Sequence, residues 1–333
     1  MLIFATVGLN SLTEDKINKI ILAGADVIRY NFSHRLISDN IEYVELGKRV
    51  IENLNSQAKI MIDLPTNKIR LGYFEPILFS VHENQELTVR SASYSKDCNE
   101  FIPVETEQIG TKIQINQTIT IGDGEVAFQI LDIVDKDSIK IKILNNGYIK
   151  TMRTFNAGLY FSDDQYIKYC QNILEKVLRV NPDYLGISYI RNLNGSLLKD
   201  LQLDKVEQKI IIKIESELSD SEIESLYKNP LYNMVLIDLG EIGVNMPFAK
   251  MGIFYKKIMS IAKNYTKPTL AMTQLFESTI SSYTPNRAEI INFTNMIEDG
   301  VKGIILGHET ALGSRPAYTI NVAKSIIKNV QKT

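Results

Sequence analysis

Eight short apolar runs that alternate with helical patterns constrain this chain more than any other feature of its 333 residues. The first, Met1-Leu2-Ile3-Phe4-Ala5-Thr6-Val7-Gly8, stops at a Gly-Leu-Asn-Ser turn. Ser11 to Glu14 then reads as a helix start, with Ile17, Ile20, Ile21 and Ala25 at helical spacing. A strand over 26–31, a helical pattern over 40–53 and a buried strand over 58–64 carrying Asp63 complete three β/α steps. From Gly72 to about Phe155 the period changes to two, in short segments over 86–90, 118–121, 126–131 and 139–143. No long helix fits there, and Asp123-Gly124 and Asn146-Gly147 predict hairpin turns. The α/β alternation then resumes: Ser162-Asp163-Asp164-Gln165 caps a helix, and strands follow over 184–190, 209–214, 233–238, 268–272 and 303–306. Three strands before the interruption and five after it predict a closed TIM (β/α)8 barrel over 1–72 and 156–333. A small all-β lid over 73–155 is inserted after strand three. A doubly wound open sheet is the competing architecture.

A hydrophobic content of 44% is enough to bury such a core. Lys plus Arg number 37 against 39 Asp plus Glu, so no general field draws nucleic acid or an anionic membrane, and any anion site is local. The opening run has no basic region before it and reads as a strand, and no stretch of about 18 apolar residues reads as a membrane span. Cys98 and Cys170 stand far apart without His or Cys at metal spacing, which predicts free thiols in a reducing, cytoplasmic setting.

In a β/α barrel, chemistry belongs at the carboxyl ends of the strands. Arg29, Asn31 and Ser33 lie two apart at the end of strand two, on one face if the strand runs that far. Asp63 closes strand three, with Lys68 and Arg70 beyond it. Lys213 and Glu215 share a face at the end of strand five, Gly240-Glu241 follows strand six, Thr273-Gln274 strand seven, and His308-Glu309-Thr310 strand eight. Any one of these alone reads more readily as a cap or a solvated loop residue; their gathering at six strand ends weakens that reading. An ammonium and a carboxylate inside a barrel mouth must pair with each other or meet a ligand. Basic groups at Arg29, Arg70 and Lys213, carboxylates at Glu215 and Glu241 and the Thr273 hydroxyl suit phosphoryl transfer or enolate stabilisation with a hard divalent cation, Mg²⁺ or Mn²⁺. No Gly-x-x-x-x-Gly-Lys-Ser/Thr, Gly-x-Gly-x-x-Gly or His-Glu-x-x-His motif is present, and hydroxyl-histidine catalysis has only His34, His82 and His308 to draw on.

At these strand ends the sequence resembles pyruvate kinases. Arg29-Tyr30-Asn31-Phe32-Ser33-His34 is similar to that family's Arg-Leu-Asn-Phe-Ser-His, Lys213-Ile214-Glu215 to its Lys-Ile-Glu, and Gly240-Glu241-Ile242-Gly243-Val244 to its Gly-Asp-Leu-Gly-Val. Thr273-Gln274, Pro285-Asn286-Arg287-Ala288-Glu289 and Gly307-His308-Glu309-Thr310-Ala311 match later motifs in order. The resemblance implies transfer of a phosphoryl group from phosphoenolpyruvate to ADP, giving pyruvate and ATP. It implies Arg29, Lys213 and Thr273 as catalytic groups, with Gly240 and Glu241 joining them around the substrate. Glu215 and Glu241 would bind the metal, and Asn31, His34, Arg70, Asp123 and Arg153 would face the nucleotide. Asn31, Ser33, Asp63 and Lys68 would form the monovalent-cation region. Lys68 and Leu64 stand where K⁺-independent members carry Lys and Leu, so K⁺ is not expected to be required.

Three departures stand out. The family's metal-binding Asp is Glu241, the Ala-Arg before it is Asp238-Leu239, and the usual C-terminal regulatory domain is expected to be absent. The last leaves a monomer or homodimer as the expected state. A metal-dependent enolate lyase, aldolase or decarboxylase acting on a pyruvate-like substrate is the first alternative, and a noncatalytic phospho-ligand-binding homologue the second.

Overall fold

The computed structural model of the chain describes residues 1–33, 37–189 and 198–332. It divides into two compact units, Met1–Thr66 with Ile167–Thr333, and Asn67–Tyr166.

In the first unit, strands Leu2–Thr6, Val27–Asn31, Lys59–Asp63, Tyr184–Ser188, Lys209–Ile214, Tyr232–Asp238, Thr269–Met272 and Gly303–Leu306 form one closed parallel barrel. The eighth strand returns to the first with Leu2 opposite Gly303, which excludes an open doubly wound sheet. The strands are apolar on both faces, as parallel strands covered by helices must be. One row, including Ile60, Ile62, Ile210, Ile212, Val235 and Ile237, is buried. The alternate row, Phe4, Val27, Met61, Tyr184, Ile211, Leu236, Leu270 and Ile305, packs into a single cluster. Each such side chain contributes about 1.5–3 kcal/mol through burial. Because the period is two, the same row continues upward from Val27 to Arg29, Met61 to Asp63, Ile211 to Lys213 and Leu236 to Asp238. The alternation that fills the barrel therefore delivers charged groups to its carboxyl-end rim.

The helices between strands start and stop on local chemistry. Glu14–Ala23 begins with Thr13 accepting from the Lys16 amide and ends at Gly24 with φ 100°, a left-handed turn that glycine adopts without strain. Capping boxes open Asp220–Lys228 through Ser219 and Glu222, and Arg287–Asp299 through Asn286 and Glu289. The second helix starts at Ile37, three residues before the start that its periodicity gives.

The second unit is built on a six-stranded sheet with two further strand pairs. Its own core includes Phe74, Phe128, Ile130, Ile141 and Phe155. Thr118–Ile121 and Val126–Ile133 form an antiparallel hairpin around Asp123-Gly124. Asn146-Gly147 makes no such hairpin: Ser138–Ile143 pairs with Val126–Ile133 and Glu86–Ser91, whereas Gly147–Lys150 pairs with Leu78–Val81. Neither residue has the positive φ that a type I′ turn needs. Asn145 instead receives the Ala127 amide and Asn146 the Glu83 amide, so the segment crosses between sheets. Cys98 and Cys170 are buried, and neither is joined in a disulfide. No helix among the described residues is long and apolar enough to cross a membrane.

Candidate active site

Asp63 organises the rim of the barrel. One of its oxygens, Oδ2, accepts from Arg29 Nε at 3.1 Å and Nη2 at 2.5 Å; the other, Oδ1, lies 2.9 Å from Lys213 Nζ. Arg29 Nη1 donates to the Thr6 hydroxyl at 2.9 Å, and Lys213 Nζ is also 2.9 Å from Glu215 Oε1. Arg29, Asp63, Lys213 and Glu215 are all buried. Lys213 and Glu215 thus pair with each other, and Asp63 joins them. Burial pushes the Asp63 carboxyl up, but the Lys213 and Arg29 charges together outweigh it and hold the group below the usual carboxylate range. Burial likewise works against the Lys213 ammonium, and Asp63, Glu215 and Asp238 reverse it, so Lys213 stays charged throughout the working pH range.

A second cluster lies at the ends of strands six and seven. Asp238, the last residue of strand six, accepts from the Glu241 amide at 3.3 Å and from the Thr273 hydroxyl at 3.1 Å, both through Oδ1. Its carboxyl is pushed up to about 7 by burial first, then by the Glu241 and Glu215 charges, with Lys213 pulling the other way. Thr273 and Gln274 take left-handed φ values of 79° and 53°, a costly conformation for a β-branched threonine. A Cβ on Gly240 would lie 2.7 Å from Thr273 Cγ2, so only glycine admits this approach. Glu309, fully buried, accepts from the Leu275, Phe276 and Gly307 amides and pins the loop that follows Thr273.

Four carboxylates, Asp63, Glu215, Asp238 and Glu241, thus stand against two basic groups, and Glu215 and Glu241 each act electrostatically on Asp238. Among the described residues no group of three or more His, Cys, Asp or Glu forms a metal-holding cluster. A pair of carboxylates in surplus negative charge fits Mg²⁺ or Mn²⁺, ions that take one or two protein carboxylates and complete their shell with water and substrate oxygens.

The remaining predicted residues are placed as follows. The second strand ends at Asn31. Ser33 therefore lies beyond the strand, and its amide donates to Asn31 Oδ1 at 3.0 Å. His34 lies outside the described residues. Lys68, Arg70, Asp123 and Arg153 belong to the second unit. There Lys68 is buried and bridges to Tyr160 through the backbone, and Arg70 Nη1 donates to the Met152 carbonyl at 3.1 Å. Arg153 pairs with Asp123 at 3.6 Å and with Glu125. Sequence reasoning missed Thr6, Glu125 and the clamp made by Glu309. Thr6 was detectable as the polar end of an inward-facing row, two residues after Phe4.

A closed β/α barrel with acidic and basic side chains converging on its carboxyl-end rim has the architecture of a barrel enzyme. The family model for the pyruvate kinase barrel domain matches residues 1–320. The pyruvate kinase of Thermotoga maritima is 26% identical over 340 residues, covering 99% of this chain and 71% of that protein. The pyruvate kinase of Thermococcus litoralis is 25% identical over 333 residues, covering 99% and 69%. In fold, the chain is similar to the crystal structure of Cryptosporidium parvum pyruvate kinase, with a TM-score of 0.84, 23% identity and coverage of 99% and 70%. The chain belongs to the pyruvate kinase family, a family of transferases, through its barrel domain.

Proposed function

We propose that this protein transfers a phosphoryl group between phosphoenolpyruvate and ADP, with pyruvate and ATP as products. The observation that carries this reading is the buried Lys213 ammonium, fixed 2.9 Å from each of Asp63 and Glu215. A phosphoryl group in transit spreads negative charge over its oxygens, and a rigid cation in a dry site stabilises that charge at little reorganisation cost. Lys213 supplies that cation, and Arg29 a second positive charge. Asp63 holds the two in fixed relation, one on each oxygen. Glu215 and Glu241 hold the divalent cation, which when bound offsets charge on substrate oxygens. Gly240 leaves room for Thr273, which lies near the carbon that gains a proton.

Asn31, Arg70, Asp123 and Arg153 serve the nucleotide side in this reading. Potassium independence is supported by Lys68 and Leu64 and by Asp63, both of whose oxygens already meet cations of the chain. The site of action is the cytoplasm, and the protein works as a monomer or homodimer.

The test is to incubate the protein with phosphoenolpyruvate, ADP and Mg²⁺ and to follow pyruvate and ATP together. Equal production with loss in Lys213→Met is the expected result. Proton exchange at carbon three of pyruvate without ATP would identify an enolate enzyme instead. Ligand binding with neither activity would identify a phospho-ligand-binding protein.

A further inference from the structure

We infer that Asp238 is a positioning residue for Thr273, setting the direction of its hydroxyl for the protonation half of the reaction; this rests on the function proposed above. The Thr273 hydroxyl donates to Asp238 Oδ1 at 3.1 Å, in a position where Asp238 is only 7% exposed. A threonine hydroxyl has one proton and rotates freely unless an acceptor fixes it. With its proton committed to Asp238, Thr273 Oγ1 turns its lone pairs the other way, where they can accept from a solvent water that gives its own proton to the enolate carbon and leaves as hydroxide.

The backbone beneath it is equally constrained. Thr273 has a left-handed φ of 79°, and three neighbours hold it there. Gly240 yields the space, Glu309 takes the amides of Leu275 and Phe276, and Asp238 takes the hydroxyl. A β-branched residue keeps such a conformation only where its surroundings over-determine it, as they do at sites that need a side chain aimed. The first two contacts fix the main chain. Asp238 alone among the three fixes the hydroxyl.

The geometry also supplies a discriminating variant. Both hydrogen bonds of Asp238, from Thr273 and from the Glu241 amide, go to the same oxygen, Oδ1. Asparagine keeps that oxygen and loses the charge; alanine loses both. Orientation and charge are therefore separable at one position.

The experiment measures two rates on the full chain. One is ATP formation from phosphoenolpyruvate and ADP. The other is exchange of deuterium from solvent into carbon three of pyruvate, which reports enolate protonation without phosphoryl transfer. Asp238→Ala is expected to lower exchange about tenfold relative to ATP formation, the size of one lost hydrogen bond. Asp238→Asn is expected to retain most of the exchange, and Asp238→Ala on a Thr273→Ala background to lower it no further. A parallel fall in both rates in Asp238→Ala, or an equal loss in the asparagine variant, would overturn the inference. So would additive losses in the double variant. Absence of both reactions in the unaltered protein would instead overturn the proposed function. If Asp238→Ala does not fold, the comparison of Asp238→Asn with Thr273→Ala carries the test: asparagine must exceed the threonine variant in exchange.

Discussion

Lys213 Nζ lies 2.9 Å from Asp63 Oδ1, joining the fifth barrel strand to the third across the strand between them. Gly186 on that intervening strand is opposite Asp63 in register, and Ser188 is opposite Lys213. The pair therefore spans a gap that a side chain on the fourth strand would otherwise fill.

Asp63→Asn should destabilise the protein by about 3–5 kcal/mol at neutral pH, because it leaves two buried cations without their shared anion. The pH dependence has a defined sign. The folded-state Asp63 carboxyl lies below its ordinary value, so the native state holds its charge where the unfolded state takes up a proton. Its contribution is complete above the ordinary aspartate range, near pH ~4, and fades as pH falls from there through the depressed value. Urea unfolding at stepped pH should show the gap between the two proteins narrowing only below that range. A constant gap would assign the loss to packing and not to charge.

Gly186→Ala tests the same relationship from the side of space. A Cβ at 186 would lie 2.7 Å from Asp63 Oδ1 and 2.7 Å from Met61 Cε. The methionine can move, but the carboxylate is tied on both oxygens. The variant should lose about 1–3 kcal/mol of stability, as overpacking does, and phosphoryl transfer should fall with it as Lys213 is displaced. Unfolding curves and ATP formation measured on one preparation check both. Retention of full activity would show that Asp63 can shift without carrying Lys213.

The barrel and the identity of its rim residues were legible because a single period governs both. Val27 and Arg29, or Ile211 and Lys213, differ only in height along the same inward row, so the alternation that predicts a buried strand also predicts where its last side chain points. Pairing between strands was not legible. Nothing in Asp63 says that it will meet Arg29 and Lys213 and not a monovalent ion, since those contacts span 34 residues in one case and cross a whole inserted unit in the other. Asn146-Gly147 failed for a related reason: the dipeptide permits a tight hairpin, but side-chain acceptors from distant amides decide which sheet the next strand joins. The role of Glu309 was hidden because three amides from two loops define it, and sequence spacing carries no record of amide direction.

Glu309→Gln should loosen the segment after strand seven. The carboxylate receives three amides, Leu275 and Phe276 on Oε1 and Gly307 on Oε2. Glutamine keeps one acceptor oxygen and turns a donor toward the remaining amide, leaving an unsatisfied contact worth about 1–3 kcal/mol. Hydrogen exchange at Leu275 and Phe276 should accelerate by about tenfold or more relative to barrel-strand amides. Unchanged protection there would place the restraint on Thr273 elsewhere.

The requirement for a monovalent cation is open to a direct titration. Asp63 already faces two cations of the chain, Arg29 and Lys213, and in the function proposed above Lys68 supplies a tethered charge in place of a free monovalent ion. At fixed ionic strength, ATP formation without K⁺ should stay within about twofold of its value at saturating KCl, since screening is then equal in both arms. Lys68→Met removes the tethered charge and should make activity rise with KCl. A steep rise from zero in the unaltered protein would mean that a free monovalent ion supplies charge that the chain itself does not, and the assignment of Lys68 would fall with it.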